Sequence, residues 1–320
     1  MNDDSNLPLL PAPPLTIQHS YAEVRRQLAH SGYDAEEARA TARLLVDEVC
    51  TTRHAHLLSP ERVLTNDEYA QLQAALARLL KGEPLPYVLG RAHFHGLTLR
   101  ADGRGLIPRP ETELLVELAL SRLQDVPRSK VADLGTGSGA IALAVAHARP
   151  DATVWATDLM PEARALASEN AQLLGLEGRV HIEAGAIDDW AAHLPRGAFD
   201  AVLSNPPYIA TRDIATLQSQ VRDYEPHTAL VGGGDGLNPY RLIARQCGAL
   251  LREGGFVACE LGAGQFADVE EIFRTEGWSV EPALFDFAGI ARVLCATRQA
   301  DDKADSKSAE WESNPPSNTL

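Results

Sequence analysis

Apolar residues recur at spacings of three and four through the first quarter of the chain: Tyr21, Val24 and Leu28, then Ala38, Ala42, Leu45 and Val49, then Tyr69, Leu72, Leu76 and Leu79. That period lines one face of an α-helix, so the pattern predicts a small helical domain over 18–82. Residues 83–107 lose the period. Pro84, Pro86, Gly90, Gly96, Gly103 and Gly105 punctuate short alternating runs such as Leu97-Thr98-Leu99-Arg100, which predicts a hairpin linker. Over 108–298 strand and helix patterns take turns. Strands are expected at Val131–Leu134, Thr153–Thr157, Val180–Glu183, Asp200–Ser204, Phe256–Glu260 and Ala291–Ala296. Helices are expected at Ala140–Ala148 and Glu162–Leu174, near Leu237–Leu251 and near Phe266–Thr275. Such alternation implies an α/β domain with a parallel sheet covered on both faces. The proline-rich segment 1–17 and the acidic tail 299–320 hold too little apolar surface to offset ordering entropy and are expected to be disordered.

Composition narrows the classes. A chain of 320 residues that is 45% hydrophobic can bury a full core in about two domains. No basic start followed by an apolar run opens it, and no stretch approaches about 18 uninterrupted apolar residues, so no export or membrane segment is expected. The four cysteines, Cys50, Cys247, Cys259 and Cys295, form no C-x-x-C pair and have no histidines at ligand spacing; neither a metal site nor a disulfide framework is expected, and a reducing cytoplasm fits. The formal net charge of -15 is only partly explained by Asp3, Asp4 and the tail, and it disfavours nucleic acid as a partner.

Chemistry enters at Asp133-Leu134-Gly135-Thr136-Gly137-Ser138-Gly139, which joins the end of the first predicted strand of the α/β domain to a helix. An α/β sheet places ligands at the carboxyl ends of its strands, and glycines let a ligand approach the backbone closely. The spacing lacks the third glycine position of the dinucleotide fingerprint, and no lysine follows as a phosphate-binding loop requires, so nicotinamide and ATP are disfavoured. Asp158 ends the next strand, where a carboxylate can accept two hydrogen bonds from a ribose diol; the following Pro161-Glu162 also suits a plain helix start. Loop and acid together resemble the nucleoside-binding half of the Rossmann-like class I methyltransferases, whose cofactor S-adenosylmethionine carries ribose and adenine but no phosphate.

Asn205-Pro206-Pro207-Tyr208 follows the strand that ends at Ser204. Two prolines fix two φ angles and remove two donors, so carbonyls at this turn lack a local amide partner. The Asn205 side-chain oxygen and the Pro206 carbonyl could then accept both hydrogens of one NH2 group, with the Tyr208 ring as a cover. A conjugated nitrogen attacks poorly; the peptide rotation barrier of roughly 18–20 kcal/mol measures that conjugation. Two hydrogen bonds worth about 1 kcal/mol each do not overcome it. Their use is geometric, because near-attack positioning supplies roughly 7–11 kcal/mol. The motif is shared by methyltransferases acting on exocyclic adenine nitrogens and on glutamine amides.

The substrates are separated by a wider resemblance, over residues 20–298, to the peptide chain release factor glutamine N5-methyltransferases, the PrmC or HemK family. It is carried by Gly82-Glu83-Pro84 with Tyr87, Gly90 and Phe94, by Leu106-Ile107-Pro108-Arg109-Pro110-Glu111-Thr112-Glu113, by the glycine loop, Asp158 and Asn205 to Tyr208, by Tyr224-Glu225-Pro226 with Ala229-Leu230, Gly232-Gly233 and Gly236-Leu237, and by Asp286, Gly289, Arg292 and Val293. The sister ribosomal-protein glutamine methyltransferases usually read Pro-Arg-Ser-Pro at Pro108-Arg109-Pro110-Glu111. The resemblance implies a Rossmann-like catalytic domain behind a helical domain that grips a class I release factor, with S-adenosylmethionine as methyl donor, S-adenosylhomocysteine as product and the glutamine of a Gly-Gly-Gln motif as acceptor. It implies that Gly135, Thr136, Gly137, Ser138, Gly139 and Asp158 bind the cofactor and that Asn205 touches both cofactor and substrate. It assigns Pro206, Pro207 and Tyr208 to cradling the amide, and brings Phe94 and Arg109 toward the same pocket. For the adenine contact, counting forward from the third strand selects Ile187, whereas counting back from Asn205 selects Trp190. A metal-free monomer is expected. The alternatives are a ribosomal-protein glutamine methyltransferase, a nucleic-acid adenine methyltransferase, and a cofactor-binding protein without catalysis.

Overall fold

The computed structural model describes residues 10–185 and 195–298. Five helices come first: α1 (Ile17–His30), α2 (Ala35–Val49), α3 (Ala55–Leu58), α4 (Asn66–Leu80) and α5 (Leu85–Leu89). Their starts are written locally. The Thr16 and Asp34 side chains accept from the first-turn amides of α1 and α2, and Thr65 with Glu68 forms a reciprocal capping box on α4. The apolar stripes face one another, and Val24, Leu28, Ala38, Leu72 and Leu76 are fully buried; each large side chain among them contributes roughly 1.5–3 kcal/mol relative to exposure. Leu10 and Leu15, in the segment expected to be unstructured, join this core. Their order has a cause beyond the two side chains, since Gln73 accepts from the Leu10 amide and the Tyr69 hydroxyl donates to the Leu10 carbonyl. Residues 1–9 and 299–320 lie outside the described residues.

A hairpin follows, β1 (Arg91–Phe94) against β2 (Leu97–Arg100), turning through His95 and Gly96. It is fastened to the α/β domain by Asn170, fully buried, whose amide oxygen accepts from Arg100 N and whose nitrogen donates to the Arg100 and Ser138 carbonyls. The remaining elements are α6 (Glu113–Arg122), β3 (Lys130–Leu134), α7 (Ala140–Ala148), β4 (Thr153–Asp158), α8 (Pro161–Leu173), β5 (Val180–Ala184), β6 (Phe199–Ser204), α9 (Ser219–Tyr224), α10 (Asn238–Gln246), β7 (Leu251–Glu260), α11 (Phe266–Thr275), β8 (Trp278–Val280), β9 (Leu284–Phe285) and β10 (Ala291–Arg298).

The sheet runs β5-β4-β3-β6-β7-β10-β8, with β9 paired to β10. Strands β3 to β7 run parallel to one another, whereas β10 is antiparallel to β7, β8 and β9. The sheet is therefore mixed, not wholly parallel, because the connection from β8 through β9 to β10 is a turn too short to carry a crossover helix. Alternate residues feed two cores. Val131, Ala201, Leu203, Phe256 and Ala258 pack on the side of α6 and α7, while Ala132, Leu134, Val202, Val257 and Cys259 pack on the side of α10 and α11. Chain order reverses at β3, with β4 on one side and β6 on the other, and in such sheets the crevice beyond the carboxyl ends of the strands at this point is where ligands bind. No helix of the described residues is long and apolar enough to cross a membrane.

Candidate active site

A cleft of ≈ 190 Å³ opens there. Its walls include Gly135 and Gly137 after β3, Asp158 to Met160 after β4, Gly185 after β5, and Asn205 and Pro207 after β6. Gly135 and Gly137 adopt φ of +68° and +57°, and a Cβ on either would meet nothing within 4 Å. Glycine is thus required by conformation, and the space above it is open to a ligand. The loop is closely defined: Thr136 N donates to the Thr157 carbonyl, Thr136 Oγ1 to Asp133 Oδ2, and Gly137 N to Asp158 Oδ2 at 2.9 Å. Asp158 Oδ1 accepts from Met160 N, so the carboxylate is held at the mouth of the cleft with lone pairs to spare. Beneath it Asp133 is wholly buried, and burial pushes its carboxyl up to about 7 against the pull of Thr136 and the Ala142 amide. Ser138 and Gly139 are buried behind the loop and do not line the cleft.

Asn205, Pro206, Pro207 and Tyr208 leave β6 at the same edge. Their backbone is boxed in by glycines: a Cβ on Gly232 would lie 2.6 Å from the Pro207 carbonyl oxygen, one on Gly236 2.4 Å from that of Tyr208, and one on Gly262 3.0 Å from Tyr208 Cδ2. Gln265 closes the box, donating to the Tyr208 carbonyl at 2.9 Å while its own oxygen accepts from Gly262 N. A polar chain runs behind the motif. Asn205 Nδ2 donates to Thr112 Oγ1 at 3.2 Å, Thr112 Oγ1 donates to Glu260 Oε2, and Tyr208 Oη points at Glu260 Oε1 from 3.4 Å. Burial pushes Glu260 up to about 7, with Thr112 and Arg292 pulling it back; burial next to that carboxyl also pushes the Tyr208 phenol up to about 12, so Tyr208 stays neutral.

The structure brings together Gly135, Gly137, Asp158, Asn205 and Pro207. Phe94 is not among the residues that line this cleft: 1% exposed, its ring sits in the core with Leu97, Leu99 and Leu115, because the β1–β2 alternation turns it inward. Arg109 does not line the cleft either, although its charge reaches the Tyr208 phenol. Its guanidinium donates to buried Glu225 at 2.6 Å and lines a separate cavity with Tyr33, Glu37 and Gln220 between α2 and α9. Ile187 and Trp190 lie outside the described residues. Thr112, Glu260, Leu159, Met160 and the cleft-lining Gly105, Leu106, Pro226, Thr228 and Ala229 were not singled out as site residues, although several sit inside the quoted family segments. Among the described residues no group of three or more His, Cys, Asp or Glu could hold a metal ion. All four cysteines are free and buried.

A mixed sheet with an open glycine loop after its first strand, an acid after the next and Asn-Pro-Pro-Tyr after the fourth defines a class I methyltransferase. Family models agree: residues 111–228 match the methyltransferase small domain and residues 20–90 the PrmC N-terminal domain. The release factor glutamine methyltransferase of Agrobacterium fabrum is 38% identical over 88% of this chain and 98% of its own length. That of Rhodospirillum rubrum is 41% identical over 83% of this chain and 80% of its own. The chain belongs to the release factor glutamine methyltransferase family. In fold alone it also matches the hMettl16 catalytic domain solved with the MAT2A 3'UTR hairpin 1, at a TM-score of 0.52 and 15% identity, over 87% of this chain and 92% of that one.

Proposed function

We propose that this protein methylates the side-chain amide nitrogen of the glutamine in the Gly-Gly-Gln motif of a class I release factor, using S-adenosylmethionine. The observation that carries the reading is the shared cleft: Asp158, whose carboxylate suits a ribose diol, and Asn205, whose amide suits a substrate NH2, line one space. The residues fit that cofactor. Gly135 and Gly137 leave room over the backbone, Asp158 offers acceptors, and Leu159 and Met160 supply an apolar wall for adenine. When bound, the cofactor supplies a methyl group on a sulfonium sulfur that needs no acid to leave.

The chain's own residues do the positioning. Asn205 Oδ1 and the Pro206 carbonyl accept the two hydrogens of the glutamine NH2, which fixes the nitrogen in place with its lone pair aimed toward the cofactor side of the cleft. Neither Pro206, which is buried, nor Pro207, which lines the wall, carries an N–H that could compete for these acceptors. Tyr208, neutral and half-buried, limits water at the acceptor. The helical domain holds the release factor beside this edge.

The test is labelled S-adenosylmethionine with release factor, ribosomal protein and DNA side by side. Label is expected on the release factor alone, and Asn205→Ala should abolish it while most cofactor affinity survives. Label only in DNA, or unchanged turnover by Asn205→Ala, would overturn the assignment.

A further inference from the structure

Asn205 can act as an acceptor only if its amide is turned the right way, and a free carboxamide has two orientations of nearly equal shape. Nothing in the Asn-Pro-Pro-Tyr motif itself chooses between them. The choice is made behind it. Thr112 lies at the start of α6, Glu260 at the end of β7, and both are buried, at 3% and 2% exposure.

A hydroxyl has one hydrogen. Thr112 gives its hydrogen to Glu260 Oε2, so it presents only lone pairs to Asn205, whose Nδ2 must face it. Asn205 Oδ1 is thereby left toward the cleft. Were Glu260 to carry a proton, its O–H could donate to Thr112 Oγ1. The Thr112 hydrogen would then turn toward Asn205, favouring the flipped amide and presenting an NH2 where the substrate's NH2 must bind. Tyr208 is tied to the same carboxylate through Oη. We propose, on the reading of Asn205 as the amide acceptor, that Thr112 and ionised Glu260 are positioning residues that set the Asn205 amide and so gate methyl transfer.

The charged and titratable groups facing Glu260 are Arg292 from β10, Glu111 in the turn before α6 and Tyr208 after β6, with Tyr240 of α10 donating to the Glu260 backbone carbonyl at 2.8 Å. Burial foremost, and Glu111, oppose the ionised form, while the Thr112 hydrogen bond, Arg292 and Tyr208 favour it, and the balance puts the carboxyl up to about 7. Acceptor orientation therefore degrades on the acid side of neutrality.

The experiment is the pH profile of kcat with saturating release factor and cofactor, alongside calorimetric cofactor binding. Wild type is expected to lose kcat on the acid side. Thr112→Val, of the same shape without the hydroxyl, should lower kcat roughly tenfold or more and flatten the acid limb, with cofactor affinity unchanged. Thr112→Ser should restore both the rate and the limb, which a merely structural role would not produce. Glu260→Gln, which cannot titrate, should remove the limb. Wild-type kcat in Thr112→Val, or an acid limb persisting in Glu260→Gln, would overturn the proposal. Should the label go to DNA instead, the substrate reading falls by itself; the same variants assayed on DNA still decide this proposal, since an adenine amine also has two hydrogens to be accepted.

Discussion

Gly232→Ala tests whether the rigidity of the Asn-Pro-Pro-Tyr loop, and not only its residue types, is needed for transfer. The added Cβ would lie 2.6 Å from the Pro207 carbonyl oxygen, 2.8 Å from that of Gly236 and 2.9 Å from Tyr208 Cα, and real Cβ atoms do not come closer than 3.0 Å. All three neighbours are backbone, so no rotamer change relieves the contact. Pro207 must recede by at least about 0.4 Å, while the Gly232 amide is still bound to the Ile209 carbonyl at 2.9 Å. If a 1 Å misplacement costs about a hundredfold in rate, roughly half of that costs on the order of tenfold, or about 1.4 kcal/mol. Overpacking adds roughly 1–3 kcal/mol of lost stability.

Initial rates of label transfer to release factor, calorimetric cofactor affinity and thermal melts separate these effects. The glycine loop and Asp158 do not touch Gly232, so cofactor affinity should stay near wild type while kcat falls. Gly234→Ala is the control, because a Cβ there meets nothing within 4 Å. A folded Gly232→Ala variant with kcat within about twofold of wild type would refute the reasoning, as would a loss of cofactor affinity equal to the loss of rate.

Three further outcomes are expected. Asp158→Asn sets an NH2 group against Gly137 N or Met160 N and removes the charge; cofactor affinity should drop about 10- to 100-fold by calorimetry, and an unchanged affinity would remove Asp158 from the ribose site. Phe94→Ala should cost about 3–5 kcal/mol in denaturant unfolding with no change in KM for release factor, whereas raised KM at wild-type stability would return the ring to the substrate pocket. Asp133 and Glu260 both titrate at about 7 when folded, above the ordinary carboxylate value of roughly 4, so the native state holds the extra protons. The stability they confer is full below about pH 4 and is lost as pH rises through about 7. Asp133→Asn should therefore show a shallower fall in melting temperature across that window than wild type; parallel slopes would count against the assignment.

What could be read from the chain, and what could not, follows from where each signal resides. Helical and strand periods are local, so α7 at Ala140–Ala148 was recovered to the residue, α11 was placed near its observed span, and strands β3 to β6 were recovered to within one residue at each end, while β7 begins at Leu251 and not at Phe256. β8, β9 and α9 had no such signal. They span three, two and six residues, and α9 owes its place to distant partners: Gln220 donates to Tyr33 Oη, and Tyr224 Oη donates to the Lys81 carbonyl. The glycine loop and Asn205 were legible because each bears its chemistry within a few consecutive residues. That Phe94 and Arg109 do not line the cleft was not legible, for the opposite reason. Their neighbours are settled by strand alternation and by Glu225, 116 positions away in a different segment, and a list of segments does not state which of their residues pair. The polar chain behind Asn205 is the extreme case. Thr112 and Glu260 stand 148 positions apart and meet only because β7 is laid beside β6, with α6 packed across their face. A motif can thus state which atoms face the substrate, while the sheet order decides which way those atoms point.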